Sequence, residues 1–501
     1  MIQNLAIYEV NTRVWLRKFD KPGFKAKIVD VPEQYWIDLK SKSIDYVWLY
    51  GVWQNCEKVI KETCFEPSLI QQYSTALKDW KKSDVAGSPN AVYSYTLNSK
   101  LGNQEDLIEL KKKLNSFGLK LILDFFPNYY CVETPLLKEK PGIFLNCDKD
   151  YYENDPFSYF KPFPDSEVYF VHSRDPFFPP WRDTAQVNIF SEEAREHLTN
   201  ELLSIAPLCD GIRCDMAILS LNTVFSNTWQ GLISNGEKKN ITQEFWSIAL
   251  NKLKENFPDV ITIAESYWNQ EQYLQLLGFD FTYDKTLFDK IRANTVTEIK
   301  SHLHSDISFQ NRLVRFLEKH DEERSVHLLG VEKSMIASLI TYTLPGIKLF
   351  YDGQFEGKKV KLPLQLIREP EENENSKIKE FYDKLIICCK ERVIKNGEWE
   401  LLEPIKSGNG DESYREMLSW KWSLGSEVRL IIANLSSKTS TCRIKLNVYS
   451  SDEGVLFRDL MNDKIYIRSG TELREKGLFV ELAPYKFHLL EYKSGEGQSM
   501  F

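Results

Sequence analysis

From residue 1 to about 392 the chain alternates short apolar, β-rich runs with helical stretches, the pattern of parallel strands joined by crossover helices. Eight runs read as strands: Ala6–Trp15, Tyr46–Tyr50, Leu119–Phe126, Gly211–Met216, Val260–Glu265, Phe279–Tyr283, Leu313–His320 and Ile347–Tyr351. Helices between them carry their own punctuation. Asn103-Gln-Glu-Asp puts acids in a first turn that Lys111-Lys-Lys balances at the far end, and Ser191-Glu-Glu-Ala offers an N-cap followed by acids. Eight strands with eight crossovers fit a (β/α)8 TIM barrel, although an open doubly wound sheet would alternate in the same way.

Two features interrupt the alternation. More than sixty residues separate the strand ending near Phe126 from the helix opening at Ser191. They are dense in Pro, Asp and aromatics, too long for an ordinary connection, and read as an inserted subdomain after strand 3. Beyond Ile394 the crossovers stop. Strand-like segments then follow one another at Tyr414–Trp422, Glu427–Asn434, Thr441–Val448, Gly454–Asp459, Lys464–Ile467 and Gly477–Tyr492, as in a C-terminal antiparallel β-sandwich. The expected organisation is therefore an α/β catalytic barrel over 1–126 and 191–393, an insertion over 127–190, a β-sandwich over 394–493 and a tail over 494–501.

Composition narrows the function classes. The net charge of −8, from 64 basic and 72 acidic residues, gives no clustered positive field for a nucleic-acid partner. No apolar run approaches the ~18 residues of a membrane span. The start passes directly into the first strand without the basic, apolar and small-residue segments of a secretory signal, so the expected compartment is the cytoplasm. Nine cysteines without a paired CxxC pattern read as free thiols, and Cys214 reads as a small buried filler pointing away from its neighbour Asp215.

In a barrel of this type chemistry gathers at the C-terminal strand ends, so polar residues that terminate apolar runs are the first candidates. Four runs end this way, at Leu121-Ile-Leu-Asp124, Gly211-Ile-Arg213-Cys-Asp215, Ile261-Thr-Ile-Ala-Glu265 and Leu317-Glu-Lys-His320-Asp321. Two carboxyl groups suffice to cleave a glycosidic bond, one attacking and one delivering a proton. Arg213 stands two residues before Asp215, on the same strand face, and favours an ionised nucleophile there. Glu265 has no cation in its own motif, so burial and neighbouring carboxylates are expected to raise its pKa and suit it to acid/base work. Asp321 is placed to keep that proton on Glu265 and, with His320, to hydrogen-bond the sugar.

In order and spacing these segments resemble the signature regions of the α-amylase family of glycoside hydrolases. Asp124–Tyr129 is similar to that family's Asp-x-x-x-Asn-His, Gly211–Asp215 to Gly-x-Arg-x-Asp, Ala264-Glu265-Ser266 to the strand-ending Glu, and Lys319-His320-Asp321 to Asn-His-Asp. Ala6-Ile-Tyr-Glu-Val-Asn, Gln186-Val-Asn188 and Pro345–Gln354 extend the resemblance over essentially the whole chain. It implies a retaining α-glycoside hydrolase acting on α-glucans, malto-oligosaccharides or related α-glucosides. Asp215 would be nucleophile, Glu265 acid/base and Asp321 the third carboxylate, with Arg213, His320, Asp124 and Tyr129 as substrate-binding residues. No redox or nucleotide cofactor is implied, and the expected partner is a carbohydrate. Two other outcomes fit the same residues: transglycosylation through the same carboxylates, and a catalytically silent carbohydrate-binding homologue.

Departures from the family pattern fall around the sugar subsites. Tyr129 replaces a His, Lys319 replaces an Asn, and Met216-Ala-Ile-Leu219 replaces a Lys-His pair. The family's structural calcium has one nameable ligand here, Asn128, against the six to eight oxygens that calcium takes. The insertion holds eleven aromatic residues between Tyr151 and Trp181. Most are expected to form its core, with two or three serving as sugar platforms, while His172, Arg174 and Asp175 lie among them.

Overall fold

A computed structural model describes residues 4–57, 59–233, 242–408, 410–446 and 454–494. Eight parallel strands close into a barrel: β1 (Ala6–Asn11), β2 (Tyr46–Tyr50), β3 (Lys120–Phe125), β4 (Gly211–Cys214), β5 (Ile261–Ala264), β6 (Phe281–Tyr283), β7 (Leu313–Phe316) and β8 (Ile347–Tyr351). Each strand pairs with its sequence neighbours and β8 returns to β1, with Ala6 opposite Lys348 and Glu9 opposite Tyr351. Closure decides against the open doubly wound sheet.

The barrel strands are mostly apolar because both faces are covered, one by packed side chains inside the barrel and one by the helices outside. Their glycine has a steric reason. A Cβ at Gly211 would stand 2.8 Å from Ile261 and 3.0 Å from Ile122, so only glycine lets β4 lie between β3 and β5. The crossover helix Gln104–Ser116 opens as its sequence suggests, with Asn103 accepting from the Asp106 amide and Asp106 reaching back to the Asn103 amide.

Several predicted strands prove too long, usually at the functional end. The run Ala6–Trp15 is a strand only to Asn11 and then a helical turn over Thr12–Trp15. β4, β5 and β7 stop at Cys214, Ala264 and Phe316, so Asp215, Glu265, His320 and Asp321 lie just past the ladder, on turns free to set their own geometry.

The excursion between β3 and β4 pairs Tyr129–Cys131 with Thr184–Gln186 and carries a small sheet of Asn146–Cys147, Tyr159–Phe160 and Tyr169–Val171. Sequence reading missed a second excursion, after β2, where Trp53–Asn55 pairs with Val92–Leu97 around short helices. Cys56 of this excursion is disulfide-bonded to Cys131, with Cα atoms 6.0 Å apart, so the expectation of free thiols fails for this pair, while the other seven cysteines are free. Cys214 is buried, as a filler should be.

The C-terminal region contains β9 (Glu398–Leu402), β10 (Met417–Leu424), β11 (Glu427–Asn434), β12 (Ser440–Ile444), β13 (Gly454–Asp459), β14 (Lys464–Ser469), β15 (Leu478–Leu482) and β16 (Phe487–Lys493). Six of these form an antiparallel sheet in the order β9-β10-β11-β16-β13-β14, and β12 pairs with β15. Strand alternation divides the faces. Leu418, Trp420 and Trp422 join the barrel core, while Val428, Leu430 and Ile432 pack with Cys442, Ile444 and Val480 of the smaller sheet. The Trp422 indole also donates to the Thr343 carbonyl (2.7 Å), pinning the sheet to the helix before β8. The predicted strand Gly477–Tyr492 is split by a turn into β15 and β16, and the end predicted at Val448 lies outside the described residues. Among the described residues no helix is long and apolar enough to cross a membrane.

Candidate active site

The C-terminal strand ends surround a cleft of about 530 Å3 whose lining includes Tyr129, Asp215, Glu265, Tyr267, His320 and Asp321. Arg213 rises from β4 beneath it and organises the carboxylates. One guanidinium nitrogen donates to Asp215 Oδ1 at 2.7 Å and reaches Asp124 Oδ1 at 3.4 Å; the other donates to Glu265 Oε2 at 2.6 Å. The Nε–H donates to the Tyr283 hydroxyl at 3.3 Å, and the guanidinium lies 5.2 Å from the Trp48 ring centre. All four charged groups are buried. Such a cluster persists only because each carboxylate has a cation and further donors; removing the arginine would leave Asp124 and Asp215 without their ion-pair partner.

Asp215 Oδ2 accepts from the Tyr129 hydroxyl at 2.7 Å. Tyr129, expected to hydrogen-bond the sugar, therefore spends its proton on Asp215 and is itself packed edge-on against Trp181. Glu265 collects more donors: Arg213, the Met216 amide at 2.8 Å, the Tyr267 hydroxyl at 2.7 Å and Lys319 Nζ at 3.4 Å. The Met216 amide reaches it because Met216 takes a left-handed φ of 41°, a strained conformation for a side chain with a Cβ.

These contacts overturn the expectation of a raised Glu265 pKa. Burial does push it up, but Arg213 and Lys319 outweigh burial and hold it at about 2. Burial instead raises Asp215 to about 6, against the pull of Arg213. The two carboxylates share one arginine and titrate as a pair, and the first proton goes to the member with fewer donors, Asp215. Burial lifts Asp124 to about 7. Asp321 is shifted down: burial opposes ionisation there, and Lys319 and His320 overcome it.

Lys319, the cation in place of the family's Asn, is of the kind expected to disturb local pKa values or bind an acidic group, and it does both. It is fully buried, ion-paired to Asp321, 3.4 Å from Glu265 and 3.2 Å from the Tyr267 hydroxyl. Glu265 and Asp321 are thus joined by a positive bridge. His320 stacks on Tyr50, with ring centres 3.7 Å apart, and its Nδ1 pairs with the buried carboxylate of Glu9. Trp48 donates to Asp124 at 3.1 Å. Asp124, Tyr129, Arg213, Asp215, Glu265, His320 and Asp321 therefore all border one network, whereas the hydrogen bonds of His172, Arg174 and Asp175 lie outside it.

Glu9, Trp48, Tyr50, Tyr267 and Tyr283 were missed. Glu9 did leave a trace, a charge inside an otherwise apolar strand, and Tyr267 shares the strand-face parity of Glu265. Trp48, Tyr50 and Tyr283 look like core aromatics in sequence.

The calcium candidate does not fit a metal. Asn128 Oδ1 accepts from Ser220 (2.7 Å), its amide nitrogen donates to the carbonyls of Asp215 and Met216, and its own carbonyl accepts from Gln186 and Val187. Neutral hydrogen bonds occupy the groups that a cation would need, and no carboxylate joins them. Among the described residues, the cluster with metal-ligand spacing is Cys56, Cys131 and Glu133, whose two sulphurs are bonded to each other.

The α-amylase catalytic-domain family model matches residues 91–421, well over half of the chain and including Asp124, Asp215, Glu265 and Asp321. The chain belongs to the α-amylase family. Among curated relatives it is 24% identical to Alpha-amylase 3 of Dictyoglomus thermophilum over 442 residues, which cover 78% of this chain and 80% of that one. Among solved structures it resembles the maltogenic α-amylase AmyB of Thermotoga neapolitana (TM-score 0.69, 20% identity, 98% and 99% coverage). It also resembles an α-amylase of Lactobacillus plantarum (TM-score 0.68, 17% identity, 98% and 99% coverage). This membership makes the chain a glycosidase of α-amylase type with a TIM barrel. The structural likenesses speak for the fold alone.

Proposed function

We propose that this α-amylase-family enzyme cleaves α-linked glucosides, such as malto-oligosaccharides, with retention of configuration. The observation that carries the reading is Arg213, which ion-pairs Asp215 and Glu265 through separate nitrogens and so sets two carboxylates beside one cleft. In this reading Asp215 attacks the anomeric carbon while the bond to the leaving sugar breaks. Glu265 gives its proton to the departing oxygen, then takes one from the water that displaces Asp215.

Glu265 must take up a proton before the bond is cleaved, against the pull of Arg213 and Lys319. Lys319 can follow that change by giving its charge wholly to Asp321, whose contact with it already exists. Tyr129 stays on Asp215 and disperses charge when the carboxylate becomes the leaving group. Transglycosylation requires only that a sugar hydroxyl replace that water.

Proton NMR of the first product released from maltotetraose tests the proposal. Initial accumulation of the α-anomer is expected. An initial β-anomer would exclude the Asp215 intermediate, and inactivity across a panel of α-glucosides would exclude the substrate class. Products longer than maltotetraose would identify the transferase outcome.

A further inference from the structure

The connection after β1 and the excursion after β2 enclose a hollow of about 820 Å3 that shares no lining residue with the catalytic cleft. In a chain of net charge −8 this lining is locally positive, with five cations against three carboxylates. Two of the five are neutralised by exposed ion pairs, Lys25 with Asp20 (2.6 Å) and Lys100 with Glu57 (2.9 Å). Arg13, Arg17 and Lys27 are left.

None of the three has a strong anionic partner. Arg17 comes no nearer than 3.9 Å to the remaining carboxylate, Asp84, which already accepts two hydrogen bonds from Arg368 (2.9 and 3.2 Å). Lys27 Nζ donates to the Ser99 carbonyl (2.7 Å) and forms no ion pair among the described residues.

Arg13 carries the most weight, because it is only 8% exposed and yet, among the described residues, pairs with no carboxylate. Its two Nη atoms donate to the carbonyls of Ala86 (3.3 Å), Gly87 (3.0 Å) and Leu364 (2.7 Å), while its Nε–H has no acceptor. Burial lowers its pKa to about 10. A buried cation without an anion is costly, and one held by three carbonyls is already fixed in place for an incoming anion. Arg17 follows four residues later on the next helical turn, so the two guanidinium groups lie on one side of the chain.

Size and charge define what fits. Three cations suit a dianion, and a phosphate monoester carries about −1.5 to −2 charges near neutral pH together with three acceptor oxygens. Guanidinium groups match such oxygens in pairs. A bare phosphate would occupy little of the hollow, and Leu16, Ile60 and Leu101 in its lining offer apolar contact to an organic body. We propose that this hollow binds the phosphate monoester of a small metabolite, with Arg13, Arg17 and Lys27 holding the phosphate.

Calorimetry on the full-length protein tests the site, with inorganic phosphate, glucose 6-phosphate and AMP as probes. An organic phosphate is expected to bind more tightly than inorganic phosphate; glucose 6-phosphate as the tighter of the two would identify a sugar phosphate, and AMP a nucleotide. R17M/K27M should weaken that binding by about 10-fold or more, the scale of lost hydrogen bonds to a charged group, with an unchanged Tm as the folding control. R13M should abolish it. Because three carbonyls lose their donor in R13M, R17M/K27M decides the question if R13M does not fold. No binding of any probe at about 10 mM, or binding that R17M/K27M leaves undiminished, would overturn the site. Inorganic phosphate binding as tightly as both organic probes would overturn the monoester assignment. None of these readouts uses turnover, so failure of the glycosidase reading would leave them unchanged.

Discussion

Two buried lysines at opposite ends of the barrel separate chemistry from architecture. Lys319, just past β7 at the mouth, is ion-paired to Asp321, lies 3.4 Å from Glu265, and has its pKa raised well above normal by those charges despite burial. Lys348, in β8 at the floor, meets only neutral acceptors: Asn4 Oδ1 (2.8 Å) and the carbonyls of Leu344 (2.9 Å) and Gly346 (2.7 Å). Burial lowers Lys348 to about 7. The floor tolerates a weakened cation because it only ties the N-terminal segment to the barrel. The mouth holds a strong cation because the carboxylates of Asp321 and Glu265 face it there.

The largest effect should come from the mouth. Asp215→Asn is expected to lower kcat on malto-oligosaccharides by about 10^4-fold or more with the fold intact, measured by steady-state kinetics and circular dichroism. Arg213→Met removes the cation common to Asp124, Asp215 and Glu265; denaturant unfolding should show about 3–5 kcal/mol of lost stability, along with inactivity. Lys319→Asn restores the residue usual in the family and removes one charge from Glu265. A carboxylate without that cation ionises at higher pH, so Glu265 stays protonated longer and the alkaline limb of kcat/KM should move up by about one pH unit. Tyr129→Phe removes one donor to Asp215 and should cost about tenfold in kcat, the scale of a hydrogen bond to a charged group.

At the floor, Lys348→Met should leave the pH–rate profile unmoved and show itself only in stability. The lysine's folded pKa of about 7 lies below its unfolded value, so the unfolded chain binds the extra proton above pH 7. The stability of wild type relative to this variant should therefore rise between about pH 7 and 10, with a slope of at most about 1.4 kcal/mol per pH unit, by denaturation at several pH values. A shifted pH–rate profile in Lys348→Met, or none in Lys319→Asn, would erase the distinction between mouth and floor.

Sequence patterning located the barrel well, and the reasons for its errors are physical. Tyr46–Tyr50, Ile347–Tyr351, Glu427–Asn434 and Gly454–Asp459 agree with the structure to the residue, because uniform apolar runs or clean alternation stop at marked turns. The ends at Asp215 and Glu265 were read as strand because the turns there continue an apolar run without Gly or Pro. The chain also showed which carboxylates gather. Their electrostatics were hidden because the contacts are long-range: Lys319 reaches Glu265 across 54 residues, and Glu9 reaches His320 across 311. A missing cation within the Glu265 motif was thus no guide to the charges around it.

The central claim, that Asp215 forms the covalent bond, is tested most directly by trapping. A ring-fluorinated α-glucosyl fluoride slows both chemical steps while its fluoride leaving group keeps the first comparatively fast, so the glycosyl-enzyme accumulates. Peptide mapping by mass spectrometry should find one added fluoroglucosyl group on the peptide containing Asp215, and none in Asp215→Asn. A label on Glu265, Asp321 or any other residue would contradict the account, as would turnover of the reagent with no label at all.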